Sequence, residues 1–471
     1  MNKEKNLLFI NELWDKNITP TLMEYIKIPN KSPQFDKEWQ QHGYMDQAVT
    51  LISDWCKMHA LKNMALEVIK LQNKTPLIFI DIPGQSKDTI LLYGHFDKQP
   101  EMTGWQDDLH PFKPVLRGDR LYGRGAADDG YAVFASLTAI KSLQQEGHPH
   151  ARCIILIEGS EESGSPDLPF YIDALKDRIG QPNLIICLDS GCGNYEQLWL
   201  TTSLRGLIGG TLTINVLKEG VHSGSASGIV PSCFRILRQL LDRIEDKTNG
   251  NIIVNDLHVD VPPNRLQQID YAAKVLDESL YKNLPFQFGV LPDTTSLPEL
   301  MLRRTWKPAL SITGCDGLPL IQHAGNVTLP SLSFKLSMRL APTCDVDKAI
   351  NALKNTLEKD PPYHAHVKFE VQDIGPGWNA PEEQPWLIQS TQKASQKYFG
   401  KDAVYMGEGG TIPFMGMLGK KFPKAQFLIT GLLGPGSNAH GPNEFLHIPT
   451  AKKLTACVAQ VIFDQYQEHA S

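Results

Sequence analysis

No Cys-x-x-Cys pair occurs in this 471-residue chain, whose eight cysteines (56, 153, 187, 192, 233, 315, 344 and 457) are scattered. That spacing argues against a zinc–thiolate site and a disulfide framework, and for reduced thiols in a cytoplasmic protein. No Lys/Arg cluster stands out and the net charge is only −6, so nucleic acid is not an expected partner. Long apolar runs are missing too. The N-terminus offers Leu7–Ile10 before charge returns, which is too short for a signal peptide, and nothing later approaches a membrane span. G-x-S-x-G, P-loop and H-E-x-x-H patterns are absent, which argues against a serine nucleophile elbow, a phosphate cradle and a helix-borne zinc pair.

What is present is length and alternation. The chain is too long for one ordinary core, and two domains are expected. Residues 1–205 alternate helical patterns (5–27, 44–60, 129–145) with apolar strand patterns (64–71, 76–81, 89–94, 152–158, 183–189). This is the grammar of a layered α/β domain. From 206 to 377 the order becomes strand (212–216), helix (231–246), strands (309–314, 331–340), helix (346–358) and strand (365–371), a ferredoxin-like insert. The stretch 247–307 has no readable pattern. From 378 the first grammar returns, with helices at 384–398 and 449–468 around the run Phe427–Thr430. The expectation is a discontinuous α/β domain (1–205 and 378–471) carrying a ferredoxin-like α+β lid (206–377).

Ionisable residues stand where the apolar strands end. His95 and Asp97 follow Ile90–Tyr93; Asp128 and Asp129 follow the glycines of "YGRGAADDG"; Glu161 and Glu162 follow Cys153–Ile157. Asp189 follows Leu184–Leu188, and His440 lies in the glycine-rich turn after Phe427–Thr430. Any one has an ordinary reading as a turn residue, a helix cap or a solvated loop. Together they converge on the carboxyl edge of one sheet, where open α/β folds bind ligands. So many carboxylates would repel one another unless a cation held them.

Charge counting favours two divalent ions. His95, Asp128, Glu162, Asp189 and His440 provide two neutral imidazoles and three carboxylates, which neutralise two Zn²⁺ together with one bridging hydroxide. Such donors suit zinc, with manganese or cobalt also compatible. Glu161 is left unligated beside the site, as a general base would be.

These residues, in the motifs "YGHFDKQP", "LYGRGAADDG", "EGSEESGS", "CLDSG", "LRG", "HSG", "EGGTIP" and "GSNAHGPNE", resemble the M20 family of di-zinc metallopeptidases, especially its carnosinase-like dipeptidase branch. The resemblance implies His95 and Glu162 on separate zincs, Asp128 bridging, Asp189 and His440 completing the ligand set, and Glu161 as base. It further implies that Asp97 orients the His95 imidazole. His222 would polarise the scissile carbonyl, often across a homodimer interface formed by the lid, and Arg339 would hold the substrate's terminal carboxylate. Glu408 and Thr411 would line the substrate side. Lys98 and Gly407 depart from many relatives, near the expected pocket.

The expected function is hydrolysis of dipeptides by a hydroxide bridging two zincs, with a small peptide as substrate and no nucleic acid or membrane partner. An N-acyl amino-acid deacylase of the same family, such as a succinyl-diaminopimelate desuccinylase, is the alternative. A catalytically silent binding module predicts a missing base or ligand, and none is missing.

Overall fold

The computed structural model describes residues 1–469, the Pro413 side chain apart. Along the chain come β1 (Ala65–Ile69), β2 (Leu77–Ile82), β3 (Thr89–His95), α1 (Ala132–Gln145), β4 (Arg152–Glu158) and β5 (Leu184–Cys187). Next are β6 (Gly206–Asn215), α2 (Cys233–Leu241), β7 (Ala309–Asp316), β8 (Ser331–Leu340), α3 (Val346–Glu358) and β9 (His366–Gly375). β10 (Gln426–Ile429) and the long helix α4 (Ile448–His469) follow. The chain divides into two units. One comprises Met1–Thr202, Ala380–Tyr405 and the chain from Met417 on; the other comprises Ser203–Asn379 and Met406–Gly416.

In the first unit β1-β2-β4-β3-β5-β10 form one sheet. β4, β3, β5 and β10 run parallel; β2 pairs antiparallel with β4, and β1 antiparallel with β2. The four parallel strands are buried on both faces, which is why they read as unbroken apolar runs rather than alternating ones. Register places His95 opposite Glu158, Tyr93 opposite Cys187 and Ile429 opposite Cys187, so the segments leaving all four strands emerge along one edge. Helix α1 is buried nearly all round. It starts at Ala132, three residues later than its apolar pattern, because Asp128 and Asp129 leave helical geometry. Gly94 makes room for that turn: a Cβ there would lie 2.7 Å from both Ala132 Cβ and Asp129 Oδ2.

In the second unit β7-β8-β6-β9 form an antiparallel sheet, with α2 and α3 in the β-α-β-β-α-β order of a ferredoxin-like fold. β8 alternates cleanly. Leu332, Phe334, Leu336, Met338 and Leu340 join the core with α2 and α3, and Arg339 points to the opposite face.

Two details differ from the sequence pattern. The helix over 5–27 is two helices, Lys3–Leu13 and Thr19–Ile26, joined by a wider turn at Trp14–Ile18 with Pro20 opening the second. The 247–307 stretch contains helices Pro263–Leu276 and Leu297–Thr305.

Candidate metal centre

Asp128 lies between two histidines. Its Oδ1 is 3.2 Å from His95 Nε2 and its Oδ2 is 3.0 Å from His440 Nε2. The His95 side also holds Asp189, whose Oδ2 is 3.7 Å from His95 Nε2. The His440 side holds Glu162, whose Oε2 is 3.3 Å from His440 Nε2. Two groups result, His95–Asp128–Asp189 and Asp128–Glu162–His440, each with its donor atoms within 4.8 Å of one another. They share only Asp128, one oxygen facing each way, as a carboxylate between two cations would.

Asp97 braces this arrangement. Its Oδ1 lies 3.4 Å from His95 Nδ1, and its two oxygens accept the backbone amides of Glu161 and Glu162 at 3.1 and 3.0 Å. His95 Nδ1 also lies 3.1 Å from the Asp97 carbonyl oxygen, so one fully buried residue, through backbone and side chain together, sets the imidazole and the turn that carries both glutamates. Gln99, absent from the sequence reading, donates its Nε2 to Glu162 Oε2 at 2.6 Å. Glu162 Oε1 is left buried and without a partner. Glu161 Oε2 stands 4.0 Å from His95 Nε2, beside the two groups.

The electrostatics fit a cation site. Burial, then Asp189, pushes Glu161 well above the ordinary carboxylate range. Burial raises Asp189 to about 6, and burial with Asp128 raises Glu162 to about 7. Burial opposes a charge on either imidazole, yet Asp189, Asp128 and Asp97 hold His95 well above its usual value. Hydrogen bonds to Asp128 and Glu162 carry His440 to about 11 in the same way. Burial would raise Asp128 as well, but His440 and His95 outweigh it and keep it low. The clustered carboxylates favour positive charge between them, and the unpartnered Glu162 Oε1 is a buried acceptor that a cation could satisfy.

In the second unit Arg339 and Thr411 meet, with Arg339 Nη1 donating to Thr411 Oγ1 at 3.2 Å while that hydroxyl donates to Arg205 O at 2.6 Å. Glu408 Oε2 is 3.7 Å from Arg304 Nη2 and its Oε1 is buried without a partner. Residues 406–416 therefore pack with the second unit, although their place in the sequence groups them with the returning α/β part. His222 is exposed, and its Nδ1 accepts the Gly224 amide at 3.1 Å, which leaves Nε2 to carry the ring proton of the neutral form.

The two departures have internal reasons. Lys98 is not a pocket residue. It is fully buried, and its Nζ donates to the carbonyls of Tyr25 and Ile28, both at 2.8 Å, and stands 3.9 Å above the Tyr25 ring. Gly407 has no room for a side chain, since a Cβ would come within 2.5 Å of Ser203 Oγ and 2.9 Å of Thr305 Cβ.

A mostly parallel sheet with two groups of candidate metal ligands sharing one carboxylate at its carboxyl edge fits a metal-dependent hydrolase. Residues 91–464 match the peptidase family M20/M25/M40, and the chain belongs to that family. The cysteinylglycine-S-conjugate dipeptidase of Corynebacterium striatum is 26% identical over 410 residues, covering 83% of this chain and 86% of its own. The beta-Ala-His dipeptidase of Homo sapiens is 28% identical over 388 residues, covering 78% and 73%. The crystal structure of human carnosine dipeptidase 1 shares the fold, with a TM-score of 0.75 at 20% identity over 99% of both chains. The resemblance to the dipeptidase branch thus holds across both units.

Proposed function

We propose that the chain is a dinuclear metallo-dipeptidase, and the observation that carries this reading is Asp128 facing His95 with one oxygen and His440 with the other. Two divalent ions, zinc by donor type with manganese or cobalt compatible, would be held by His95, Asp128 and Asp189 and by Asp128, Glu162 and His440. Such ions would supply Lewis acidity toward water and the scissile carbonyl. Glu161, raised by burial, takes a proton from the attacking water at its carboxylate and returns it to the leaving amine. His222 donates from Nε2 to the carbonyl oxygen. Arg339, which meets Thr411, receives the substrate carboxylate, and Glu408 lines the substrate side.

That the relatives are named as dipeptidases supports dipeptides, rather than N-acyl amino acids, as the substrates of this chain. A homodimer through the second unit fits the exposed apolar residues there, Ile229, Phe288 and Ile321 among them. A cytoplasmic location fits eight free thiols. The test is to incubate metal-loaded protein with a panel of dipeptides, Cys-Gly and β-Ala-His included, alongside N-acyl amino acids, and to identify products by mass. Turnover confined to the N-acyl compounds would overturn the dipeptidase assignment.

A further inference from the structure

A buried ion pair links the segments that deliver the metal ligands, and the chemistry above does not use it. Glu444 is fully buried four residues beyond His440. Its Oε1 accepts the backbone amides of Gly125, Ala127 and Asp128 at 3.0, 3.2 and 3.3 Å, and its Oε2 meets Arg124 Nη1 at 2.8 Å. Arg124, 1% exposed, donates from Nη2 to Gly441 O at 2.7 Å and from Nε to Pro100 O at 3.1 Å. One guanidinium and one carboxylate thereby join three loops: the one after Gln99, the turn that ends in Asp128, and the one that carries His440.

Stability alone does not explain the pair. Two charges taken out of water are seldom better than well-packed apolar groups of the same volume, so a buried ion pair is weak evidence of a stabilising role. Here nearly every donor and acceptor is directed at a loop backbone that bears or flanks a ligand. His440 also sits at φ 65, a left-handed conformation uncommon for a residue with a β-carbon, although histidine tolerates it better than most. The contacts to Gly441 O and through Glu444, on the following residues, help to hold it there.

We infer that Arg124 and Glu444 are positioning residues that set the separation of Asp128 and His440, and with it the affinity of the Asp128–Glu162–His440 group for its cation. The inference rests on reading those three residues as ligands. His440 belongs to that group alone, so disturbing the pair weakens that ion most, while the ion of His95–Asp128–Asp189 is affected only through the shared Asp128.

The experiment is calorimetric titration of chelated protein with Zn²⁺, with elemental analysis of the loaded product. The step removed by Glu162→Gln identifies the ion in question. Arg124→Lys keeps the buried charge but cannot reach both Glu444 and Gly441. Glu444→Gln removes one charge, and Arg124→Met combined with Glu444→Gln removes both, so no unpaired ion remains buried. Each is expected to weaken the Glu162-dependent step by ~10–100-fold, the usual effect of losing a group that orients a ligand, with the other step weakened distinctly less. Arg152→Gln, which breaks the distant pair with Asp81, should lower the Tm and leave both steps as they were. Wild-type affinities for both ions in Arg124→Lys and in the double variant would overturn the inference. So would equal weakening of both steps that tracks the fall in Tm. A wild-type protein that never takes up a second ion brings down the dinuclear reading itself, and is seen before any variant is made.

Discussion

Asp97 Oδ1 lies 3.4 Å from His95 Nδ1, and the same carboxylate accepts the amides of Glu161 and Glu162. A side chain that holds both a proposed ligand and the turn bearing the proposed base should affect binding and rate together. Asp97→Asn is expected to weaken metal binding by ~10–100-fold and to lower kcat even at saturating metal. Calorimetry and steady-state kinetics across metal concentrations measure the two effects. Full recovery of kcat by excess metal would limit Asp97 to the imidazole.

Glu161 and Glu162 are adjacent but face different partners. Glu162 Oε2 is 3.3 Å from His440, whereas Glu161 Oε2 is 4.0 Å from His95. Glu161→Gln should keep both metals and lose turnover by orders of magnitude, because the base is gone and the ligands stay. Glu162→Gln should release or weaken one metal. Elemental analysis showing the same metal loss in both variants would contradict these roles.

Much of this was legible in the sequence because it is local. A strand buried on both faces is an apolar run wherever it occurs, and the residue that ends it is read directly, as with Ile90–Tyr93 before His95 or Cys153–Ile157 ahead of the paired glutamates. What the sequence concealed depends on partners far away in the chain. Arg124 and Glu444 are 320 residues apart, and no spacing rule pairs them. Strand Val404–Glu408 is set by the neighbouring strand Trp199–Leu204, so the placement of Met406–Gly416 follows long-range pairing and not the order of the chain. Lys98 beside a histidine and an aspartate reads as a pocket residue until the end of helix Thr19–Ile26 is seen to cover it.

That helix end gives Lys98 a structural task. Its ammonium donates to the Tyr25 carbonyl, which the Ile28 amide also reaches, and to the Ile28 carbonyl just past the helix, and burial holds its pKa well below the lysine norm. Lys98→Met should therefore leave metal stoichiometry and KM unchanged while lowering stability by about 1–3 kcal/mol, the effect of leaving a buried carbonyl, that of Ile28, unpaired. Denaturant unfolding and kinetics on one preparation decide the matter. A change in KM with unchanged stability would return Lys98 to the substrate pocket.

Glu158 lies under the site, accepting from Tyr93, Ser165 and Ser160, and burial raises it from the ordinary 4.5 to about 7. Since the folded value is above the unfolded one, its stabilising contribution is complete below about 4.5 and is lost as pH rises through 7. Glu158→Gln removes that dependence. Against chelated wild type, the variant should gain up to roughly 3 kcal/mol between pH 5 and pH 8. A difference in unfolding free energy that is flat across this range would refute the assignment.

His222 is exposed, and its Nδ1 is engaged by the Gly224 amide, so its Nε2–H is free to donate to a carbonyl oxygen. In the proposed dimer the His222 of one copy serves the metal centre of the other. Its loss should lower the rate by about 10²–10³-fold, the usual effect of removing one oxyanion donor, without releasing metal. Mixing inactive His222→Ala chains with inactive Glu161→Gln chains should then restore part of the activity. In a mixed dimer the His222→Ala chain keeps an intact base and ligand set and borrows a histidine from its neighbour. The opposite site has neither, so recovery can reach only half of the mixed dimers' sites. Subunit exchange is followed by mass spectrometry of tagged chains. Exchange without any recovery of activity would place His222 in its own chain's site or outside catalysis altogether.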